Sequence, residues 1–206
     1  MARHAEGRRA LDFGCGAGRS TRFLKAQGFE AVGIDISSPM VELARTADAG
    51  GDYRVVPDGD FSGLAAASFD VVLSAFAFDN IPGREKRAAL LRGLKDLLAP
   101  GGRIFLLGSA PEIYWKEWAS FTTADFPENR SATSGGEVRI VMKDVTDARP
   151  VVDLIWFPGD YRDLFASAGL ALIEEHLPLG RHGEAAWIAE ERVAPWVIYV
   201  LRAGLQ

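Results

Sequence analysis

The sequence predicts an α/β fold with a doubly wound, mostly parallel sheet, and three observations lead to this prediction. Apolar runs typical of strands alternate with segments of helical periodicity along the chain, which is the order of βαβ units. Three alternate glycines, Gly14, Gly16 and Gly18, separate the first apolar run from the first helical segment. A carboxylate, Asp35, ends the second apolar run. Glycines after one strand and an acid after the next are typical of a sheet that binds a ligand at its carboxyl edge.

Composition sets limits on the class of protein. The chain has 206 residues, of which 48% are hydrophobic and 25% charged, values of an ordered globular protein, so we expect one domain, residues 1–206. The net charge is −5, and the sequence contains no block of lysine or arginine, which argues against a nucleic-acid-binding surface. No apolar run approaches the ~20 residues that cross a bilayer, and no secretory signal is visible. We therefore expect a cytoplasmic monomer or homodimer that acts on a small molecule.

The strands and helices can be placed in order. The second helix is predicted to have Ser38 as its N-cap and Pro39 at its first helical position, and to bury Met40, Leu43 and Ala44. Residues 58–68 are too few for a good helix and predict a loop. The predicted strands are residues 10–13, 31–34, 53–56, 69–74, 103–107, 170–176 and 196–201. The other predicted helices are residues 19–27, 83–98 and 159–168, the middle one with a buried stripe of Leu90, Leu91, Leu94, Leu97 and Leu98.

The glycine turn and Asp35 together predict a nucleoside cofactor. Glycine permits a positive φ and leaves no Cβ between backbone and ligand, so a ligand can lie against the start of the first helix. A carboxylate at the end of the second strand can accept hydrogen bonds from both hydroxyls of a ribose. The dinucleotide pattern G-x-G-x-x-G is not met, because Arg19 stands where its third glycine would be.

Five motifs in order resemble those of the class I S-adenosylmethionine-dependent methyltransferases. The glycine turn, with Asp12 two residues before it, is similar to the family's first motif, and Asp35-Ile36 resembles its ribose-binding acid and adenine-packing neighbour. Gly59-Asp60-Phe61 is similar to the acidic motif that meets the adenine amino group. Residues 69–74 resemble the fourth strand, and residues 97–103 resemble the turn into the fifth.

The resemblance implies a Rossmann-like α/β fold whose seven-stranded sheet has an antiparallel last strand, with an insertion after strand 5. It also implies that S-adenosyl-L-methionine is the cofactor. The residues implied to contact it are Asp12, Gly14, Cys15, Gly16, Gly18, Asp35, Ile36, Asp60, Phe61 and Ser74. For Cys15, the only cysteine, a small buried filler is favoured over a catalytic thiol.

Residues 109–158 form the insertion, and two interpretations of it stay open. Its predicted elements are a helical stretch at 111–121, a polar stretch at 129–136, and strands at 138–142 and 151–155. As a substrate cap, it would line the acceptor site with Tyr114, Trp115 and Trp118. As a structural excursion, it would use the same aromatic side chains to fill a second core. Few residues precede the first strand, so either the lid comes from a segment such as this one, or the cofactor is more exposed than usual.

Candidate catalytic residues follow the fourth strand and the sixth. Asp79 is predicted to act as a base or to hold a substrate cation, and Asn80 to orient the acceptor, although a turn carboxylate is an equal reading for Asp79. His182, in a loop at the carboxyl edge, is a second candidate base. The alternative interpretation is that His182 is an ordinary surface histidine without a catalytic role. No cluster has metal-ligand spacing, so no metal is expected.

The functional prediction is transfer of a methyl group from S-adenosylmethionine to a small, aromatic or heteroaromatic acceptor by in-line displacement. A binding scaffold without transferase activity is the alternative, and a nicotinamide-dependent oxidoreductase is a weaker one. The sequence leaves open the acceptor and which of its atoms is methylated.

Overall fold

A computed structural model of the chain describes residues 7–143, 145–146 and 149–204. Seven strands form one sheet: β1 Arg9–Phe13, β2 Glu30–Asp35, β3 Asp52–Val55, β4 Phe69–Ala75, β5 Leu98–Ser109, β9 Leu170–His176 and β10 Trp196–Ala203. Their order in the sheet is β3-β2-β1-β4-β5-β10-β9, in which β10 runs antiparallel to both β5 and β9 and the pairs among β1 to β5 are parallel. The predicted fold class and the antiparallel last strand are thus confirmed. The prediction that no secretory signal is present falls largely on residues 1–6, which lie outside the described ones.

Four α-helices flank the sheet: α1 Arg19–Ala26, α2 Ser38–Ala47, α3 Arg84–Asp96 and α4 Pro158–Ser167. Leu90, Leu91 and Leu94 of the predicted leucine stripe are buried on α3, and they pack with side chains of α4 and with one face of β1, β4 and β5. Leu97 and Leu98 are buried too, but Leu97 caps the helix and Leu98 begins β5. Residues 58–68 contain no helix, as predicted. Gly169, with φ of 71°, follows α4 in the left-handed conformation that ends a helix.

The predicted buried face of α2 was wrong by part of a turn. Val41 and Ala44 are the buried pair, whereas Met40 and Leu43 are 43% and 56% exposed. The cap is Ser37, whose Oγ accepts a hydrogen bond from the Met40 N–H at 3.5 Å. Positions 41 and 44 face the sheet because they pack against Cys15 and Tyr53, a contact that local sequence spacing does not reveal.

The insertion forms a small antiparallel sheet of three strands in the order β6-β7-β8, with β6 Phe121–Thr122, β7 Glu137–Met142 and β8 Val151–Leu154. The two predicted strands are confirmed, but the predicted helix at 111–121 was wrong. Only Pro111–Tyr114 forms a single 3₁₀ turn, after which the Trp118 indole N–H donates to the Ile113 carbonyl at 2.9 Å and the chain folds back.

A second core lies under this small sheet. Its buried members are Ile113, Tyr114, Trp118, Phe121, Val138, Ile140 and Ile155. Asn129 fastens the polar stretch to it, because its Nδ2 donates to the carbonyls of Tyr114 and Arg139 at 2.8 Å and its Oδ1 accepts from the Arg139 N–H at 3.0 Å. The insertion therefore has a core of its own, held by buried aromatic rings and a buried amide.

Within the described part of the chain, no helix has the length and hydropathy needed to cross a membrane.

Candidate functional site

A cavity of about 270 Å³ opens over the carboxyl ends of β1 to β4. From β1 the chain continues to β2 on one side of the sheet, and from β4 it continues to β5 on the other side. Ligands of open α/β sheets usually bind at such a change in the direction of strand order. Most of its wall is apolar, and Phe13 and Phe61 meet there edge to face with ring centroids 6.1 Å apart. The lining residues are Phe13, Gly14, Ile34, Asp35, Ile36, Val56, Pro57, Asp58, Gly59, Phe61, Ala77, Asn80, Ile81, Pro82, Lys86 and Leu90.

Gly14 of the glycine turn lines this cavity, whereas Gly16 and Gly18 do not, and steric contacts require glycine at two positions of the turn. Gly14 and Gly18 have φ of 71° and 78°, and a Cβ on Gly14 would overlap the Cβ of Ala77. A Cβ on Gly18 would come within 2.7 Å of the Tyr53 ring. The N–H groups of Gly14 and Cys15 both donate to the Ile34 carbonyl, at 2.9 and 3.0 Å, so the turn is tied to the end of β2.

Asp35 holds the same turn from the opposite side. Its Oδ2 accepts a hydrogen bond from the Gly16 N–H at 2.8 Å, and its Oδ1 accepts one from the Ser37 N–H at 2.9 Å. The carboxylate also lines the cavity, and each of its oxygens can accept a further bond. Its predicted contact with a ribose therefore remains a prediction that the geometry permits.

Asp12 and Cys15 support the turn from below and do not line the cavity. The buried Asp12 Oδ2 accepts hydrogen bonds at 2.6 Å from the hydroxyls of Ser20 and Thr21, which secures the start of α1. Burial raises the pKa of Asp12. Burial, with the charges of Asp12 and Asp35, raises the pKa of the Cys15 thiol to about 12, so Cys15 is a neutral side chain packed inside the fold. Neither residue is placed to touch a ligand directly.

Of the two acids near the end of β3, Asp58 faces the cavity and the predicted Asp60 does not. Asp60 is exposed, and its Oδ1 accepts from the Ser62 N–H at 2.9 Å. Asp58 lines the cavity and forms an ion pair with Lys86. The intervening Gly59 has φ of 76°, so the chain reverses between the two carboxylates. Phe61 and Ile36 line the cavity as predicted, whereas Ser74 is buried outside it.

Asp79, the first predicted catalytic residue, points away from the cavity. It is 4% exposed, and its Oδ2 accepts from the Ser109 N–H at 3.0 Å and from the Ser109 hydroxyl at 2.9 Å. Burial first, and then the charge of Asp153, raise the pKa of Asp79 to about 7. The 3₁₀ turn Ala77–Asn80 begins after Phe76, whose left-handed backbone sends Asp79 inward and leaves Asn80 on the cavity wall. The structure thus places Asp79 off the cavity wall, and its contact with the acceptor stays a prediction.

His182, the second predicted base, lies far out in the loop after β9. Its side chain is 95% exposed, with Nδ1 3.2 Å from the Glu191 carboxylate. It does not line the cavity, so the structure does not bring the two predicted bases together.

Of the four predicted acceptor residues, one lines the cavity and three lie in the insertion. Asn80 lines the cavity, but Tyr114 and Trp118 are buried in the second core, where the Tyr114 hydroxyl donates to Asp153 at 3.1 Å. Trp115 packs against that core from its edge. These three aromatic side chains pack within the insertion and do not line the cavity, so their contact with the acceptor stays a prediction.

Comparison with known proteins identifies this type of site. Residues 11–106 match the model of a family described as a methyltransferase domain. The chain is 26% identical over 172 residues to N-demethylindolmycin N-methyltransferase of Streptomyces griseus, which covers 82% of this chain and 72% of that protein. It is 34% identical over 104 residues to a ubiquinone biosynthesis O-methyltransferase of Xanthomonas axonopodis, covering 48% of this chain and 42% of that protein. The chain is thus similar to methyltransferases, along residues 11–106 for the family and along most of its length for the Streptomyces griseus enzyme.

The solved structures agree at the level of the fold. A methyltransferase from Methanosarcina mazei superposes with a TM-score of 0.72 at 16% identity, over 100% of this chain and 97% of that one. The match extends across the insertion, so the small sheet belongs to the same architecture.

The cavity fits S-adenosylmethionine as its cofactor. A turn in which a Cβ on Gly14 would meet Ala77 leaves bare backbone at the wall, and the apolar side chains of Ile36, Val56 and Phe61 suit a planar base. Asp35 lines the same cavity, and its contact with a ribose stays a prediction. When bound, the cofactor supplies an electrophilic methyl group on a sulfonium.

Several residues of the cavity wall were missed from the sequence. Lys86 and Leu90 reach it from α3, and Ile81 and Pro82 reach it from the turn after β4. Of the missed residues, only Asp58 could have been considered from the sequence, because it is an acid two residues before the predicted Asp60. The others become visible only when α3 is packed against the sheet.

Proposed function

We propose that this chain transfers the methyl group of S-adenosylmethionine to a nitrogen atom of a small acceptor. The observation that carries the proposal is the cavity at the carboxyl ends of β1 to β4, where the glycine turn and the Asp35 carboxylate face the same space. The chain's own part is to bind and align the reactants, an effect that reaches about 7–11 kcal/mol in well-oriented reactions.

The side chains around the cavity support nitrogen as the atom methylated. Its titratable side chains are Asp35, Asp58 and Lys86 within the described residues. Asp35 accepts two backbone hydrogen bonds, and Asp58 and Lys86 pair with one another. A neutral amine needs no base before it attacks, whereas a phenol or alcohol does. The relative whose alignment covers 82% of this chain is named as an N-methyltransferase, which supports the same choice.

Tyramine tests the proposal because it carries an amine and a phenol on one small aryl compound. We expect the protein, incubated at pH 9 with S-adenosylmethionine bearing a trideuterated methyl group, to form tyramine labelled on nitrogen, detected by tandem mass spectrometry. Tryptamine serves as a second acceptor of the same class.

Each other result has a definite meaning. Label on the phenol oxygen would contradict nitrogen specificity. Binding of S-adenosylmethionine without any labelled product from either amine would favour the scaffold, and binding of NAD in its place would favour the oxidoreductase. We also propose, from composition alone, that the protein works in the cytoplasm as a monomer or homodimer and does not bind nucleic acid.

A further inference from the structure

Two exposed aromatic side chains meet at the carboxyl edge of the large sheet. Phe76 follows β4 directly, and Trp196 begins β10 opposite Ser109 of β5. The two rings are 37% and 38% exposed, with centroids 6.0 Å apart and planes inclined by 70°. The pair therefore stands in solvent beside the strand ends where ligands of such sheets bind.

Phe76 is held there by a strained backbone. Its φ is 61°, and apart from glycines only Ala67 among the described residues also has a positive φ. For a bulky residue this conformation is an energetically costly outlier, and such strain concentrates at functional sites. The Phe76 N–H donates to the Leu107 carbonyl at 2.8 Å, so the strained position is fixed from β5. The strained residue places a partly exposed ring against Trp196.

The cofactor cavity begins at the next residue. Ala77 lines that cavity and lies where a Cβ on Gly14 would be. The Phe76 ring is thus one residue from the wall of the cofactor site.

Trp196 also lines a second recess, a groove of about 350 Å³. It lies between the insertion and the loop that joins β9 to β10, and the Trp187 indole N–H donates to the Arg181 carbonyl at 3.0 Å, which fixes that ring in its wall. The large apolar side chains of the groove are Phe121, Leu179, Trp187, Pro195 and Trp196.

The groove is acidic as well as aromatic. Glu184 and Glu190 line it, and no lysine or arginine does so in the described parts of the chain. The buried Glu190 carboxylate accepts hydrogen bonds from the N–H groups of Ala119, Ile188 and Ala189, which hold the charge in place. Aromatic faces next to fixed carboxylates attract a cation that carries a flat apolar group.

We infer that the surface from Phe76 across Trp196 to Trp187 binds the acceptor, and that the acceptor is a small amine bearing an aromatic ring. This inference rests on the proposed function and assigns its substrate class. It assigns the acceptor to partly exposed aromatic side chains in place of Tyr114, Trp115 and Trp118. Among the assigned side chains, Phe76 directly precedes Ala77, which lines the cofactor cavity.

The test is calorimetric titration of tryptamine, and of hexylamine as a nonaromatic amine, into protein saturated with S-adenosylhomocysteine. Phe76→Asn removes the ring and keeps the backbone, because asparagine tolerates a positive φ. Trp196→Leu removes the second ring. Phe23→Ala is the matched control, since Phe23 is an exposed aromatic residue on α1, outside both the cavity and the groove. We expect tryptamine to bind more tightly than hexylamine, and each of the first two variants to weaken its binding about tenfold, with the control unchanged.

The inference is overturned if tryptamine does not bind, if it binds no better than hexylamine, or if both variants bind it as the wild type does. Affinity for S-adenosylhomocysteine and thermal unfolding report whether each variant is folded, and Trp196→Leu decides the matter if Phe76→Asn is not. Tryptamine binding that depends on both rings without labelled product would contradict the proposed function alone. Labelled product with unchanged KM in both variants would contradict the assigned surface alone.

Discussion

At the scale of single residues, a buried charged cluster joins the large sheet to the small one. Asp79 accepts its two hydrogen bonds from Ser109 of β5, and the Asp153 carboxylate of β8 lies in the same buried region. Arg87 of α3 is fully buried; its guanidinium lies 4.9 Å from the Tyr161 ring centroid and donates to the Tyr161 hydroxyl at 2.6 Å. The cluster holds two carboxylates against one cation, so its free energy depends on whether a proton is bound.

Asp79→Asn is expected to change how stability depends on pH. The pKa of Asp79 is raised from 3.8 to about 7, by burial and by Asp153, against the opposing effects of Ser109 and Arg87. Between these pH values the folded protein holds a proton that the unfolded chain has lost, so this carboxyl group lowers stability as pH rises and the loss is complete above pH 7. We expect urea unfolding to show that the variant gains about 1–3 kcal/mol relative to wild type between pH 5 and pH 8.

Asp60→Asn is the control for this experiment. Asp60 is exposed and its pKa is lowered by the hydrogen bonds from Ser62, so its effect lies below pH 4 and the difference from wild type should be the same at pH 5 and pH 8. An equal pH response of Asp79→Asn and wild type would contradict the buried, proton-linked role of Asp79.

Side-chain direction limited what could be predicted at this scale. Asp35 and the glycine turn were found because strand, turn and acid follow one another closely in the sequence. Asp79 and Asp60 were misplaced because the positive φ of Phe76 and of Gly59 turns the chain, and a positive φ on phenylalanine has no sequence signal. The choice between Asp58 and Asp60 depended on one such turn.

At the scale of elements, the insertion is a self-packed unit fastened by one buried amide. Asn129→Ala would leave the carbonyls of Tyr114 and Arg139 and the Arg139 N–H without their present partner. Unsatisfied buried groups cost about 1–3 kcal/mol, so we expect a loss of stability of that size in urea unfolding. Affinity for S-adenosylmethionine should stay within twofold of wild type, because the described residues between 111 and 157 do not line the cofactor cavity.

Ser131→Ala is the matched control, since the Ser131 hydroxyl donates to the Glu128 carbonyl at an exposed site and should cost little. A tenfold weaker cofactor affinity in Asn129→Ala, with stability unchanged, would show instead that the insertion closes over the cofactor.

Elements were predictable where their hydrophobic pattern is regular. The leucine periodicity predicts helix α3, and the alternation of apolar and polar residues predicts β7 of the insertion. Both elements are observed. The expected helix at 111–121 failed because Trp118 bonds to the Ile113 carbonyl and packs on Phe121, contacts that depend on the fold of the whole insertion.

At the scale of the whole molecule, the contact between Phe76 and Trp196 links two recesses. Ala77, next to Phe76, lines the first recess, and Trp196 lines the second. The first lies over β1 to β4 and fits the cofactor, and the second lies between the insertion and the loop after β9. Strand order could be predicted only through resemblance, because periodicity does not reveal where β10 inserts. The second recess could not be predicted at all, since its walls come from segments more than 60 residues apart, such as Phe121 and Trp187.

The central claim, that the cavity over β1 to β4 is an S-adenosylmethionine site organised by Asp35, is tested most directly by calorimetric titration of wild type and Asp35→Ala with S-adenosylmethionine and with NAD. We expect micromolar affinity of the wild type for S-adenosylmethionine and no measurable affinity for NAD. Asp35→Ala should weaken S-adenosylmethionine binding at least tenfold, since hydrogen bonds to a charged group contribute about 1.5–3 kcal/mol each. Unchanged affinity in a folded Asp35→Ala protein, or a preference for NAD, would contradict the account.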